Sequence, residues 1–205
     1  MSETIVFLIR HGEIENPKKV LYGSNIDFPL NDTGRGQINQ VAEKIKKIGE
    51  IPHIIYTSPL IRAEQSSQII AGKFGLEDSI RIEDNLKDVN IPALAGKPFT
   101  IRKELHAQGL DEYSEKFVSM GNESRKQVVD RMKKVFRKIV SGNKGKIIVI
   151  ISHGDPIQFL LYSLEHPTVE IPSMDTIANQ NYPPKGSVVR LVIDENGSLT
   201  KKTIL

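Results

Sequence analysis

Two separate stretches of this chain end an apolar run in a histidine followed by a glycine. Ile5 to Ile9 leads into Arg10-His11-Gly12-Glu13, and Lys146 to Ile151 leads into Ser152-His153-Gly154-Asp155. A neutral imidazole keeps a ring-nitrogen lone pair near neutral pH, so a histidine can attack an electrophile where a serine would need a separate base. An arginine beside it offers a planar fork that matches phosphate oxygens. Arg62, close behind Ser58-Pro59, is a second such fork if it lies near a helix amino terminus, where free NH groups and the helix dipole favour anions. Paired histidines also suggest metal ligation. That reading lacks a ligating cluster such as His-x-x-x-His, and it leaves two arginines beside a cation.

These side chains converge only if the elements carrying them are neighbours. Ile5 to Ile9 is continuous, largely β-branched and aromatic, which suits a strand buried on both faces of a sheet. Lys146 to Ile151 reads the same way. Open α/β sheets bind ligands beyond the carboxyl ends of their strands, so two such strands side by side would bring both imidazoles to one pocket.

Between them, a polar loop runs from Ile14 to Asn31, and Asp32 or Thr33 can cap a helix reaching about Gly49. In that helix Ile38, Val41, Ala42, Ile45 and Ile48 recur at helical spacing. His53 to Thr57 reads as a short strand. Ser58 and Pro59 then suit the cap and first turn of another helix, with Arg62 one turn inside.

A third strand is expected over Ser79 to Ile82, then an irregular segment from Asn85 to Gly96 and helical material around Thr100 to Gln108. A helix from Glu123 to Val140 carries Val128, Met132, Val135, Phe136 and Ile139 on one side and lysines and arginines opposite. Another follows from Asp155 to Leu164. Asn196-Gly197 between Val188 to Asp194 and Leu199 to Ile204 is a hairpin signal. Alternating strands and helices predict an α/β fold, a three-layer α/β/α sandwich. Its central sheet is mainly parallel, with an antiparallel edge strand supplied by the hairpin.

Composition narrows the function classes. With 205 residues, 39% hydrophobic and 26% charged, the chain can bury a core as one domain spanning 1–205. A net charge of +3, scattered along the sequence, does not argue for nucleic acid but leaves room for a small anionic substrate. Cysteine is absent, which removes a thiolate nucleophile and a disulfide framework and fits a reducing compartment. No run has membrane-spanning length and no basic segment leads an apolar one, so a cytoplasmic protein without a membrane partner is expected. Oligomeric state is left open.

The motifs, taken in order, resemble the histidine phosphatase superfamily, which contains the cofactor-dependent phosphoglycerate mutases. Arg10-His11-Gly12-Glu13 is similar to its signature. Tyr22-Gly23 through Asp27, Pro29, Leu30, Gly34 and Gln37 resembles the segment that follows it. Ser58-Pro59-Leu60 with Arg62-Ala63 and Gln65-Ser66 resembles the second signature, and Ser152-His153-Gly154 the last. Gly121, Glu123, Ser124 and Arg131 fit a weaker pattern.

The resemblance implies that His11 attacks phosphorus while Arg10, Arg62 and His153 bind the transferred phosphoryl group. No cofactor or metal is then needed, because positioned cations stabilise the charge on the phosphoryl oxygens. The family's acidic residue, a glutamate in Leu-x-Glu-Val-Asp-Phe-Gly, corresponds to Asp88 in Leu86-Lys87-Asp88-Val89-Asn90-Ile91-Pro92. An aspartate is one methylene shorter, so its backbone must come closer or a water must relay the proton.

Asp155 is the competing acid, and its alternative role is to cap the helix before Pro156. Asn16, Gly23, Ser24 and Gly154 are candidates for substrate binding, with Asn16 one position earlier than in the family. His53, His106 and His166 lack signature neighbours and read as structural or solvated. The activity implied is a phosphatase acting on a small phosphorylated metabolite. A phosphoglycerate-type mutase and a slow phosphate-binding regulatory module are the alternatives.

Overall fold

The computed structural model describes residues 3–167, 172 and 182–205. β1 (Thr4–Arg10), β2 (Ile54–Thr57), β3 (Ile80–Ile82), β4 (Ile147–Ser152), β5 (Val188–Ile193) and β6 (Leu199–Ile204) form one sheet in the order β3-β2-β4-β1-β5-β6. β1 and β4 are adjacent and parallel, with Arg10 opposite Ser152, so the two His-Gly exits lie side by side. β2 and β3 extend the parallel part, whereas β5 and β6 are antiparallel. The hairpin therefore adds two antiparallel strands, β5 inside the sheet and β6 at its edge.

The alternation of side chains along a strand sorts β1 between two cores. Val6 and Leu8 face one, with Val128, Met132, Val135 and Phe136 of α5 (Arg125–Ser141) and Phe159 and Leu160 of α6 (Gly154–Glu165). Phe7 and Ile9 face the other, with Ile38, Val41 and Ile45 of α1 (Asp32–Ile48) and Ala63, Ile70 and Ala71 of α2 (Ile61–Phe74). Helices thus cover both faces, as a strand apolar on both sides requires. The shorter α3 (Ile101–Ala107) and α4 (Glu115–Val118) lie in the segment between β3 and α5.

Several helix starts differ from expectation. Asn31, rather than Asp32 or Thr33, caps α1, its side chain accepting from the Gly34 NH. α2 starts at Ile61 behind Leu60, which makes no side-chain cap, so Pro59 lies before the helix and Arg62 is its second residue. The Ser58 hydroxyl accepts from the Leu60 NH instead, at 3.3 Å. α6 begins at Gly154 with His153 in the cap position, which puts Asp155 inside the first turn rather than at the cap. α5 starts at Arg125 rather than Glu123, capped by Ser124 in a reciprocal pairing with Gln127. Among the described residues no helix is long and apolar enough to cross a membrane.

Candidate active site

The parallel pairing of β1 and β4 sets the His11 and His153 rings 5.0 Å apart, centroid to centroid. Both are almost fully buried. His11 Nδ1 lies 2.7 Å from the Gly12 carbonyl, an acceptor only, so Nδ1 carries the proton and Nε2 keeps its lone pair. Burial pushes the His11 pKa well below that of a free imidazole, and the Arg62 and Arg10 charges push it the same way. His153 is held down by burial first, then by Arg62. Two neutral rings result.

Arg62 joins the pieces. Its Nε donates to His153 Nδ1 at 3.2 Å and its Nη1 to Asp27 at 3.2 Å. Nη2 donates to the Gly23 carbonyl at 2.7 Å and to Asp88 Oδ2 at 3.0 Å. The guanidinium carbon lies 4.9 Å from the centroid of the Tyr22 ring. The bond from Arg62 assigns the proton of His153 to Nε2, which donates to the Ser58 hydroxyl at 2.8 Å. Asp27 also accepts from the Ile61 NH, fixing the amino end of α2. Gly23 has φ +50°, and a Cβ there would run into the Val89 carbonyl, so this turn favours glycine.

Asp88 reaches the cluster because its segment is drawn in from two sides. The Ser152 hydroxyl donates to the Leu86 carbonyl at 2.8 Å. Arg131 donates to the carbonyls of Asn85, Lys87 and Asp88 while paired with Glu123. The shorter acid is thereby brought to 3.8 Å from His153 Nδ1. Burial raises the Asp88 pKa, opposed by Arg62 and reinforced by the Asp155 charge, so the carboxyl holds a proton to higher pH than a solvated aspartate. That suits a proton donor.

A cleft of about 360 Å³ opens above this cluster, with Arg10, Asp88, Gly154, Asp155 and Tyr182 on its polar side. Leu21, Tyr22, Val89, Ile91 and Phe99 form an apolar wall. Arg102, His106, Glu112 and Lys185 also line it; Arg102 pairs with Glu112 and Lys185 with Glu13. His106, read as structural or solvated from its neighbours in sequence, is thus at the cleft.

The structure brings His11, Arg10, Arg62, His153, Asp88, Gly23 and Gly154 together around this cleft or the cluster beneath it. It does not bring Asn16 or Ser24 there. Asn16 closes its own loop, its amide bonded through both ends to the backbone of Val20. Ser24 lines a separate depression behind Asp88, next to Asn90 and Gln127. Asp27, Tyr22, Tyr113 and Tyr182 acquire site contacts that sequence reasoning had not assigned. Among the described residues no group of three His, Cys, Asp or Glu is arranged to hold a metal ion.

The model of the histidine phosphatase superfamily (branch 1) matches residues 6–203. "Phosphoglycerate mutase-like protein 4" of Arabidopsis thaliana is 30% identical over 160 residues, covering 76% of this chain and 68% of that protein. Three mycobacterial relatives, 28% identical, are longer, and the chain spans 44% of their length. The structure of YhfR from Bacillus stearothermophilus superposes with a TM-score of 0.79 at 22% identity, over 96% of this chain and 94% of that one. Phosphoserine phosphatase from Entamoeba histolytica, in complex with 3-phosphoglyceric acid, superposes with a TM-score of 0.72 at 25% identity, over 98% and 96%.

Proposed function

The chain belongs to the histidine phosphatase superfamily, and from that premise we propose that it hydrolyses a small phosphorylated metabolite through a phosphohistidine intermediate, acting as a single domain without a metal. The observation that carries this reading is the neutral His11, with its proton on Nδ1, beside His153 and within one cluster of Arg10, Arg62 and Asp88.

In the first step His11 Nε2 attacks phosphorus, and the bond from phosphorus to the ester oxygen breaks. Arg10 and Arg62 hold the phosphoryl oxygens as charge spreads over them. Asp88, carrying a proton, gives it to the departing alkoxide. In the second step the Asp88 carboxylate takes a proton from water, which attacks the phosphohistidine and releases orthophosphate. His153 orients Arg62 through the bond between Nδ1 and Nε. The rest of the substrate lies against Leu21, Tyr22, Val89, Ile91 and Phe99, which favours an ester with a partly apolar body.

Purified protein should release phosphate from p-nitrophenyl phosphate in the presence of chelator. Phosphate trapped on the chain should be acid-labile and base-stable, and His11→Ala should abolish both. Substantial activity remaining in that variant would refute the nucleophile assignment.

A mutase is the second reading, motivated by Arg102, His106 and Lys185 at the cleft, where a second acidic group would sit. The pairing of Arg102 with Glu112 and of Lys185 with Glu13 weighs against it, since those cations are already neutralised. Interconversion of phosphoglycerates stimulated by the bisphosphate would establish it.

A further inference from the structure

Asp155 sits in the first turn of α6, lines the cleft and is 5% exposed. Its carboxyl oxygens meet phenol hydroxyls, whereas those of Asp88 meet the Val89 NH and Arg62. Asp155 Oδ1 accepts from the Tyr182 hydroxyl at 2.6 Å, and Oδ2 accepts from the Tyr113 hydroxyl. Burial and then the Asp155 charge push the pKa of both phenols well up, which keeps them protonated as donors. A carboxylate bonded by two hydroxyls is a fixed acceptor that holds two rings in place.

One of those rings faces a phosphoryl-binding candidate. The Arg10 guanidinium carbon lies 5.2 Å from the centroid of the Tyr182 ring, a cation-π contact. Arg10 Nη1 donates to the carbonyl of Pro183, the residue after Tyr182, at 2.7 Å. Gly154 closes the other side: a Cβ there would collide with the Tyr182 hydroxyl and come 3.0 Å from the guanidinium carbon. Arg10 Nε is buried and has no hydrogen-bond partner among the described residues. Arg62 is fixed by four bonds to groups on other elements, whereas Arg10 is fixed by Tyr182, its neighbour and Gly154.

We propose that Asp155, clasped between the Tyr113 and Tyr182 hydroxyls, is a positioning residue that pins the Tyr182 ring against Arg10 and so sets the orientation of Arg10 toward the phosphoryl group. The proposal rests on reading the site as one for phosphoryl transfer. It gives Asp155 a supporting role toward Arg10, distinct from the proton transfer assigned to Asp88.

The test compares Tyr182→Phe, which keeps the ring and removes only the hydroxyl, with Asp155→Asn and Arg10→Ala, singly and combined. The readouts are the inhibition constant of orthophosphate and kcat/KM for an alkyl and an aryl phosphate. Tyr182→Phe and Asp155→Asn should each weaken orthophosphate binding by about tenfold, the scale of a lost hydrogen bond to a charged group. They should lower kcat/KM by the same factor on both esters. Neither should add a further loss once Arg10 is alanine, because both act through it.

Wild-type constants in folded Tyr182→Phe would overturn the proposal. So would losses that multiply with Arg10→Ala, or an Asp155→Asn loss that grows with leaving-group basicity. Wild-type protein that neither cleaves the esters nor binds orthophosphate would overturn the phosphoryl-transfer reading, and this proposal with it.

Discussion

Replacing Asp88 by asparagine removes the proton donor, the base for water and one contact to Arg62, and the choice of leaving group separates the first from the other two. The carboxylate accepts the Val89 NH at 2.9 Å through Oδ1 and Arg62 Nη2 at 3.0 Å through Oδ2. Asparagine has the same shape and keeps the first contact, but its NH2 turns a donor toward Arg62. Arg62 retains His153, Asp27 and the Gly23 carbonyl. Its displacement therefore costs at most one hydrogen bond to a charged group, about 1.5–3 kcal/mol. That loss falls on any substrate.

The missing proton falls only on substrates whose leaving group needs one. General acid catalysis contributes about 10²–10⁴-fold, or roughly 3–5 kcal/mol at about 1.4 kcal/mol per decade. An alkyl phosphate should bear it in full, and a nitrophenyl phosphate should escape it. The assay must be kcat/KM, which covers the steps through phosphoryl transfer to His11. Turnover number also includes hydrolysis of the phosphohistidine, where Asp88 activates water, and that step slows for both esters. The alkyl-to-aryl ratio of kcat/KM should thus fall by about 10²-fold or more, with a burst of nitrophenol ahead of slow turnover. An equal loss of kcat/KM on both esters would refute the assignment of Asp88 as acid.

Three further outcomes test the same geometry. Arg62→Lys should lower kcat/KM by about 10²–10³-fold, as loss of an oxyanion donor does, because one ammonium cannot reach His153, Asp27, Gly23 and Asp88 together; a neutral result would place Arg62 outside the reaction. Gly154→Ala should depress activity and cost about 1–3 kcal/mol of stability in denaturant titration, since the new methyl meets Tyr182 and Arg10; unchanged stability would show that the packing there is loose. For pH, His11 and His153 have folded pKa values pushed below the unfolded value of about 6.5, so below that pH the unfolded chain binds more protons than the native one. Stability should then fall as pH drops below about 6.5, by up to roughly 1.4 kcal/mol per unit for each ring until its folded pKa is passed, and His153→Asn should flatten the slope measured by urea unfolding; an unaltered slope would mean that His153 is not held neutral.

What could be read from the sequence follows from how far apart the deciding contacts lie along the chain. Continuous apolar runs identify β1 and β4 as doubly buried strands, and the only way to cover both faces of each is a layer of helices on either side. Their adjacency, and with it the meeting of His11 and His153, is fixed by the strand order of the sheet, which the runs alone do not specify. Helix starts were read less well. Asn31, Asp32 and Thr33 are all competent caps in succession, and only backbone conformation selects the first. The four-residue α4 carries no periodic pattern that a reader could detect.

The same distinction governs the site. Arg10, His11 and His153 are placed by strand ends, and Arg62 by the start of a helix, so local pattern locates them. Asp155 was legible as a carboxylate at a strand mouth, but its role was not, because its partners Tyr113 and Tyr182 lie 42 and 27 residues away in sequence and outside any strand or helix. A phenol in a loop has no period that announces what it will touch. Asn16 illustrates the opposite case: its partner, Val20, is only four residues away, so its amide is satisfied within its own turn and away from the cleft. Side chains whose contacts are made by the ends of regular elements announce their chemistry in sequence, and those that support them from loops emerge only when the loops are placed.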